Sequence, residues 1–199
     1  MGLSLRFYLL LQTLVLFSTL VAGKRQPPHH VSSSSSAGDL VRKSCVNASF
    51  PGICYRTLSE FSGGGAMRTP RDLAQAALGV SLHRAGKASV LLRRLKARSR
   101  REKAAVSDCL EQMGDTVDEL SRSVAELKHL RRGIAFEWQM SNVETWVSAA
   151  LTNEDTCLDG FKEVEVTVRS DVNRRIRNVA RVTSNALYLV NQLDTSKHK

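Results

Sequence analysis

The feature that most constrains the fold of this 199-residue chain is where its prolines stop. The chain has four prolines, and none follows Pro70. Proline disrupts a helix interior because it lacks the N–H donor and collides with the preceding turn. After Pro70 the apolar residues recur at steps of three and four, which is the periodicity of an amphipathic helix. We therefore expect the rest of the chain to be helical, with no β-strand.

The proline-free region divides into four helical segments. The clearest spans residues 102–130, where one apolar seam repeats every seven residues, a pattern typical of bundles. Its members are Val106, Leu110, Met113, Val117, Leu120, Val124 and Leu127. The segment 164–193 has a mean apolar spacing of about 3.6 residues. Weaker segments span residues 70–98, with Thr69 as N-cap, and residues 137–161. The prediction is an all-α, antiparallel up-and-down four-helix bundle.

The N-terminus has the organisation of a secretory signal peptide. An apolar run over residues 7–22 follows Arg6 and ends at small residues, so we expect cleavage after Gly23. An uncleaved anchor is the alternative, but the run is shorter than the ~20 residues of a membrane span. We therefore expect a signal peptide over 1–23 and a secreted protein that has no membrane partner after cleavage.

A Ser- and Pro-rich segment separates the signal peptide from the folded domain. Residues 24–38 have a composition that cannot bury itself, and we expect a flexible leader. Order should begin near Asp39 and continue over residues 39–195 as one domain. Within it, residues 39–61 form a helical hairpin and residues 68–195 form the bundle.

Four cysteines in an exported chain indicate disulfides rather than a metal site. Three pairings are possible. Cys45 and Cys54 flank a Pro-Gly turn and can meet locally, which leaves Cys109 and Cys157 to join two neighbouring helices at one end of the bundle. Each bridge should stabilise the fold by about 2–4 kcal/mol. The one glycosylation sequon begins at Asn47, beside the first pair.

Catalytic and cofactor motifs are absent from the sequence. There is no Gly-x-Ser-x-Gly, no His-Glu-x-x-His and no phosphate-binding glycine loop. No Cys-x-x-Cys spacing occurs, and none of the five histidines lies near a cysteine pair in the sequence, so we expect no zinc. We predict no catalytic, cofactor-binding or metal-ligating residue, and interpret the chain as a binding protein.

The net charge of +10 conceals two opposite segments. Residues 68–101 hold ten basic groups against one acid, whereas residues 102–130 are net −4. Export excludes nucleic acid as a natural partner but leaves a polyanion outside the cell. The alternative is a face that only confers solubility. The candidate polyanion contacts are Arg93, Arg94, Arg98, Arg100 and Arg101.

The acidic segment carries a second candidate site. Glu111, Asp115 and Asp118 stand at i, i+4 and i+7, which places them on one helix face, beside the apolar seam. Like charges at this spacing repel by a few tenths of a kcal/mol per pair unless a partner relieves them. The three carboxylates are either a solvated face or a contact surface.

Four segments of the sequence form a recognisable set of motifs. They are Cys45-x8-Cys54 with Phe50-Pro51, then Ser107 to Glu111, the 17 residues from Thr145 to Phe161, and Ser184 to Leu187. Together they resemble the plant invertase and pectin methylesterase inhibitor family, and the likeness runs from about Asp39 to the C-terminus.

The resemblance implies a four-helix bundle preceded by a helical hairpin, with disulfides Cys45–Cys54 and Cys109–Cys157. Members of the family are not enzymes. They bind a cell-wall carbohydrate enzyme reversibly and block its active-site cleft. In the methylesterase branch the contact is associated with acidic residues two, six and nine positions after the third cysteine, and with a Thr directly before the fourth. Here these are Glu111, Asp115, Asp118 and Thr156.

The branch follows from an absence in the sequence. Invertase inhibitors carry Pro-Lys-Phe ahead of the fourth cysteine, and this chain has no proline after Pro70. We therefore expect a secreted, apoplastic inhibitor of pectin methylesterase that forms a 1:1 complex without a cofactor. Two alternatives remain: an invertase inhibitor, or a pro-region-like module that holds de-esterified pectin.

Overall fold

The computed structural model describes residues 33–61 and 67–195, and these two stretches contain helices and no strand. The hairpin consists of α1 (Ser33–Cys45) and α2 (Pro51–Phe61). Four longer helices follow, namely α3 (Pro70–Arg94), α4 (Arg100–Lys128), α5 (Ile134–Gly160) and α6 (Val166–Thr195). The predicted all-α fold is confirmed. The predicted signal peptide, and the leader as far as residue 32, lie outside the described residues.

The four long helices form a ring around one core. Each packs against its neighbours along the chain, and α6 closes the ring against α3. The α4/α5 pair therefore lies opposite the α3/α6 pair. The largest fully buried side chain is Phe161, at the end of α5, and the other buried residues are mainly Leu, Val, Met and Ala. Such a core has little aromatic area, so the crosslinks contribute a large share of its stability.

The starts of α3 and α4 are fixed by matching capping boxes. The Thr69 hydroxyl accepts from the backbone N–H of Asp72, whose carboxylate accepts from the Thr69 N–H, and Ser99 and Glu102 repeat this exchange. The predicted N-cap at Thr69 is thus confirmed. The predicted end of the first long helix near residue 98 is wrong, because the backbone is already extended at Leu95, with ψ of 128°, and α3 ends at Arg94.

Two other boundaries differ from the sequence prediction. Helix α1 begins at Ser33, so the last six residues of the predicted leader are helical and order starts earlier than Asp39. Serine is only moderately unfavourable in a helix, so these residues can extend a helix whose later residue Val41 is buried in the core. The last helix was predicted to start at Val164 but begins at Val166. Val164 is buried, but it lies in the turn before α6, where its N–H donates to the Phe161 carbonyl.

The disulfides join the cysteines in the predicted pairs. Cys45, the last residue of α1, is bonded to Cys54 in α2, with 5.6 Å between their Cα atoms. Cys109 of α4 is bonded to Cys157 of α5, with 4.4 Å between their Cα atoms. The hairpin is also attached to the bundle. The Asn185 side chain of α6 accepts from the Phe50 N–H at 2.9 Å and donates to the Phe50 carbonyl at 3.0 Å.

The core stripe of α4 is centred one residue earlier than the predicted seam. Leu110, Val117 and Val124 are only half-buried, whereas the residues directly before them are fully buried. Those residues are Cys109, Thr116 and Ser123. The two hydroxyls are compatible with burial because they donate to carbonyls of their own helix, those of Gln112 and Glu119. A pattern of apolar residues alone cannot show such positions.

Among the residues that the structure describes, no helix is both long enough and apolar enough to cross a bilayer.

Candidate functional site

The predicted acidic contact lies on the outer surface of α4. Glu111, Asp115 and Asp118 are all exposed, and we call these three residues the acidic stripe. Each stands two residues after a buried residue of α4, which is about 200° around the helix. The stripe thus faces directly away from the core, and the expectation that it lies beside the seam is wrong. Within the described part of the chain, none of the three carboxylates takes part in a hydrogen bond or ion pair.

The electrostatic effect of the stripe is visible at its neighbour Glu119. This carboxylate is half-buried, and its pKa is raised, first by desolvation and then by the charge of Asp115, with a smaller effect from Asp118. Arg122 and a hydrogen bond from Asn153 lower the pKa in part. The Asn153 amide donates to Glu119 Oε2 at 3.0 Å and links α4 to α5 along the edge of the stripe. Glu119 therefore adds a fourth carboxyl group at the edge of the stripe.

Thr156 places an exposed hydroxyl on the neighbouring helix α5. Its side chain is exposed, and its hydroxyl donates to the Thr152 carbonyl at 2.8 Å, which leaves the hydroxyl oxygen able to accept from a partner. The Cys109–Cys157 bridge fixes the register of the two helices. Glu111 and Thr156 lie two residues and one residue from this bridge, so both belong to the same end of the α4/α5 pair.

The predicted basic run is divided among three elements. Arg93 and Arg94 end α3, Arg98 lies in the connection, and Arg100 and Arg101 begin α4. All five side chains are exposed. Arg101 forms an ion pair with Glu163 at 3.2 Å, and both side chains are mostly exposed. The run therefore presents no single helix face, and part of its charge is already matched.

The sequon residue Asn47 is exposed in the turn between α1 and α2, and Ser49 is exposed beside it. A glycan at this position would extend from the hairpin, away from the acidic stripe on α4. Glycosylation of Asn47 stays a prediction.

Sequence reasoning missed a buried carboxyl group. Glu154 of α5 is fully buried; its Oε1 lies 2.9 Å from the Thr183 hydroxyl of α6, and its Oε2 has no hydrogen-bond partner. Burial raises its pKa to about 8; the Thr183 bond opposes this rise, and the charges of Asp155 and Glu119 add to it. Glu154 is thus neutral at pH 7. A signal was available, because Val147, Ala150, Glu154 and Cys157 are spaced by three and four residues.

An exposed apolar pair at the start of α5 was also missed. Trp138 is 70% exposed and Ile134 is 73% exposed, one helical turn apart. Large apolar side chains left in water at helical spacing are typical of contact surfaces, and tryptophan is enriched among residues that dominate binding energy. Their i, i+4 spacing in the sequence was the available signal.

Comparison with known proteins identifies the family. A family model described as plant invertase/pectin methylesterase inhibitor matches residues 39–189. Pectinesterase inhibitor 3 of Arabidopsis thaliana is 50% identical over 173 residues, covering 83% of this chain and 84% of its own. The 21 kDa protein of Daucus carota is 42% identical over 174 residues, covering 84% of this chain and 89% of its own.

A solved structure agrees with this assignment at the level of the fold. The chain superimposes on a mutant form of a pectin methylesterase inhibitor from Arabidopsis with a TM-score of 0.61 and 23% identity, covering 74% of this chain and 92% of that one. The chain belongs to the plant invertase/pectin methylesterase inhibitor family, a family of enzyme inhibitors rather than enzymes.

Proposed function

We propose that the protein is a secreted inhibitor of pectin methylesterase that binds the enzyme 1:1 and covers its pectin-binding cleft. The observation that carries the proposal is the acidic stripe, three exposed carboxylates without a partner on a helix held by a disulfide. The names of the relatives support the same partner, since Pectinesterase inhibitor 3 is 50% identical to this chain over most of its length.

Rigidity makes the stripe suitable for binding. The three carboxylates stand on one face of a 29-residue helix, and the Cys109–Cys157 bridge fixes that helix against α5, which carries Thr156. Their mutual repulsion in the free protein amounts to a few tenths of a kcal/mol per pair, and basic or polar groups of a partner would relieve it. Little conformational entropy is lost on association, because the surface is already formed.

Inhibition follows from the position of the bundle rather than from chemistry. With α4 and α5 over the cleft, the mass of four helices excludes the polymer, and the methyl esters are retained. Charged contacts at such an interface act mainly on the rate of association and are screened by salt. We expect inhibition to weaken as ionic strength rises.

Invertase is the second candidate target, and one observation favours the esterase over it. The residues before Cys157 are Asn153-Glu154-Asp155-Thr156 and contain no Pro-Lys-Phe tripeptide. The Thr directly before the fourth cysteine is present, and its side chain is exposed on the same helix pair as the stripe.

The test measures both enzymes with one preparation. The disulfide-bonded protein is titrated against a plant pectin methylesterase with methanol release as the readout, and against a cell-wall invertase with sucrose hydrolysis as the readout. The proposal predicts loss of methanol release at stoichiometric inhibitor and unchanged sucrose hydrolysis. Methanol release that persists at micromolar inhibitor would refute it, and inhibition of invertase alone would transfer the chain to the other branch.

A further inference from the structure

The charges of the four long helices are divided between the two opposite helix pairs. Helices α3 and α6 carry ten Lys and Arg against three Asp, a net charge of +7. Helices α4 and α5 carry five Lys and Arg against twelve Asp and Glu, a formal net charge of −7, or −6 with Glu154 neutral. The proposed enzyme contact uses only the negative pair. The positive pair is left without an assigned role.

An open cleft of about 440 Å³ runs between α3 and α6 on the positive side. Its floor is apolar, formed by Ala88 and Val179. Its walls are polar and mostly cationic, and we call the residues of these walls the basic cleft. They are His83, Arg84, Lys87, Arg174, Arg175 and Asn178.

Two cations of the basic cleft are available to a ligand. Lys87 and Arg175 are exposed, and within the described residues neither takes part in an ion pair or a side-chain hydrogen bond. They project from different helices. A ligand that contacts both must therefore lie across the boundary between α3 and α6.

The other two cations of the cleft, Arg84 and Arg174, already have partners. Arg84 donates to the Asn178 side chain at 2.8 Å and so crosses the cleft from α3 to α6. Desolvation lowers the pKa of this guanidinium first, and the charge of Glu60 on the hairpin opposes that shift. Arg174 is paired with Asp171 at 2.8 Å, but both side chains are more than half exposed, so the pair exchanges readily for another anion.

We propose that the basic cleft binds an acidic polysaccharide, a chain of uronate residues such as de-esterified homogalacturonan. Arg84 and Lys87 stand three residues apart on α3, and Arg174 and Arg175 are consecutive on α6. Several cations from two helices along one cleft suit a ligand that repeats its carboxylates rather than a single compact anion. The shallow apolar floor suits the faces of sugar rings. The choice of uronate rests on the proposed function, because the product of a pectin methylesterase is this polymer carboxylate.

The cleft and the stripe lie on opposite helix pairs, so one molecule can hold both partners. The inhibitor would bind the de-esterified polymer through α3 and α6 and the enzyme through α4 and α5. Inhibitor would thereby be concentrated where the esterase has already acted. This site differs from the basic run over residues 93–101, whose last arginine is paired with Glu163.

The experiment measures binding of the full disulfide-bonded protein to polygalacturonate by isothermal titration calorimetry in about 50 mM salt. Lys87→Glu with Arg175→Glu should raise the dissociation constant at least about tenfold, because two cations become two anions within the site. The matched control, Arg93→Glu with Arg94→Glu, changes the net charge by the same amount and should alter the constant less than about twofold. All four positions are exposed, and circular dichroism verifies the fold.

Three results would overturn the proposal: no binding by the unmodified protein, equal weakening by the two double variants, or equally tight binding of fully methyl-esterified polymer. Esterase inhibition, measured in parallel, separates this inference from the proposed function. The cleft variant should inhibit as well as the unmodified protein. Unmodified protein that binds polygalacturonate through the cleft yet leaves the esterase active would refute the proposed function and retain the binding site.

Discussion

The acidic stripe and the basic cleft are opposite kinds of surface on one bundle. The stripe belongs to a single helix, and its three carboxylates lie within eight residues of sequence. The cleft needs two helices, and its free cations, Lys87 and Arg175, are 88 positions apart. A one-helix surface is encoded by local spacing, whereas a two-helix surface exists only after the ring of helices has closed.

The largest expected effect concerns the joint between the two helix pairs, where Glu154 of α5 meets Thr183 of α6. The unfolded chain loses the Glu154 proton near pH 4.5 and the folded chain only near pH 8. The contribution of Glu154 to the free energy of unfolding should therefore be highest below about pH 4.5, fall as the pH rises through this window, and level off above pH 8, by several kcal/mol in total.

Glu154→Gln isolates this effect, because an amide does not titrate. Urea unfolding at pH 4.5, 6.5 and 8.5 should show a flatter pH profile for the variant, whatever its stability at any one pH. Exposed Glu137→Gln serves as the control and should retain the profile of the unmodified protein. Parallel profiles for the Glu154 variant and the unmodified protein would contradict the assignment.

The second effect concerns the disulfide that joins α4 to α5, the helix pair with the negative charge. Replacing Cys109 and Cys157 by serine opens a loop of 48 residues and should lower the free energy of unfolding by about 3–4 kcal/mol. Because this bridge fixes α4 against α5, inhibition should weaken while polygalacturonate binding by α3 and α6 persists in the folded protein. Equal loss of both activities at a temperature where the variant is folded would remove the distinction between the faces.

The third effect is confined to the stripe. Glu111→Gln, Asp115→Asn and Asp118→Asn together should raise the inhibition constant about 100-fold, equal to about 2.7 kcal/mol, and should abolish its salt dependence. The control replaces three exposed acids of other helices, Asp39, Glu60 and Glu137, by their amides and should change the constant less than about threefold. Similar constants for the two triple variants would show that overall charge, and not the stripe, is responsible.

The smallest effect concerns a surface ion pair at the end of the bundle. Arg101 and Glu163 are 67% and 76% exposed, so their coupling in a double-mutant cycle with alanine should be at most about 0.5 kcal/mol. Urea unfolding provides the four free energies. A coupling above 1 kcal/mol would mean that the charges of this turn hold the fold together, which the exposure of both partners argues against.

Much of the fold was predictable because it depends on local patterns. The long helices were specified by three local features: the absence of proline after Pro70, the cap at Thr69 and the periodicity of the apolar residues. The spacing of the cysteines specified the disulfide pairing that the structure contains. The end of α3 was misplaced because Leu95 and Ala97 pack against the core from the connection, so the apolar pattern continues past the last helical residue, Arg94. The core-facing side of α4 was predicted one residue too late, because Thr116 and Ser123 are buried and their hydroxyls bond to carbonyls of their own helix.

The two candidate sites differ in the same way: the acidic stripe follows from a local pattern, and the basic cleft does not. The positions of Glu111, Asp115 and Asp118 on one exposed face followed from spacing within a helix, and only their direction relative to the core was wrong. The basic cleft did not follow, because no sequence period relates Lys87 to Arg175. Its arginines on α6 alternate with core residues such as Ile176 and Val179, so they resemble an ordinary solvated face.

The most direct test of the account is chemical footprinting of the inhibitor with and without pectin methylesterase. Carbodiimide labelling of carboxylates and acylation of lysines are read by peptide mass spectrometry. The account predicts that Glu111, Asp115 and Asp118 become protected in the complex while Lys87 remains as reactive as in the free protein. Protection of Lys87 with continued labelling of the stripe would show that the enzyme binds the opposite face, and would contradict the account.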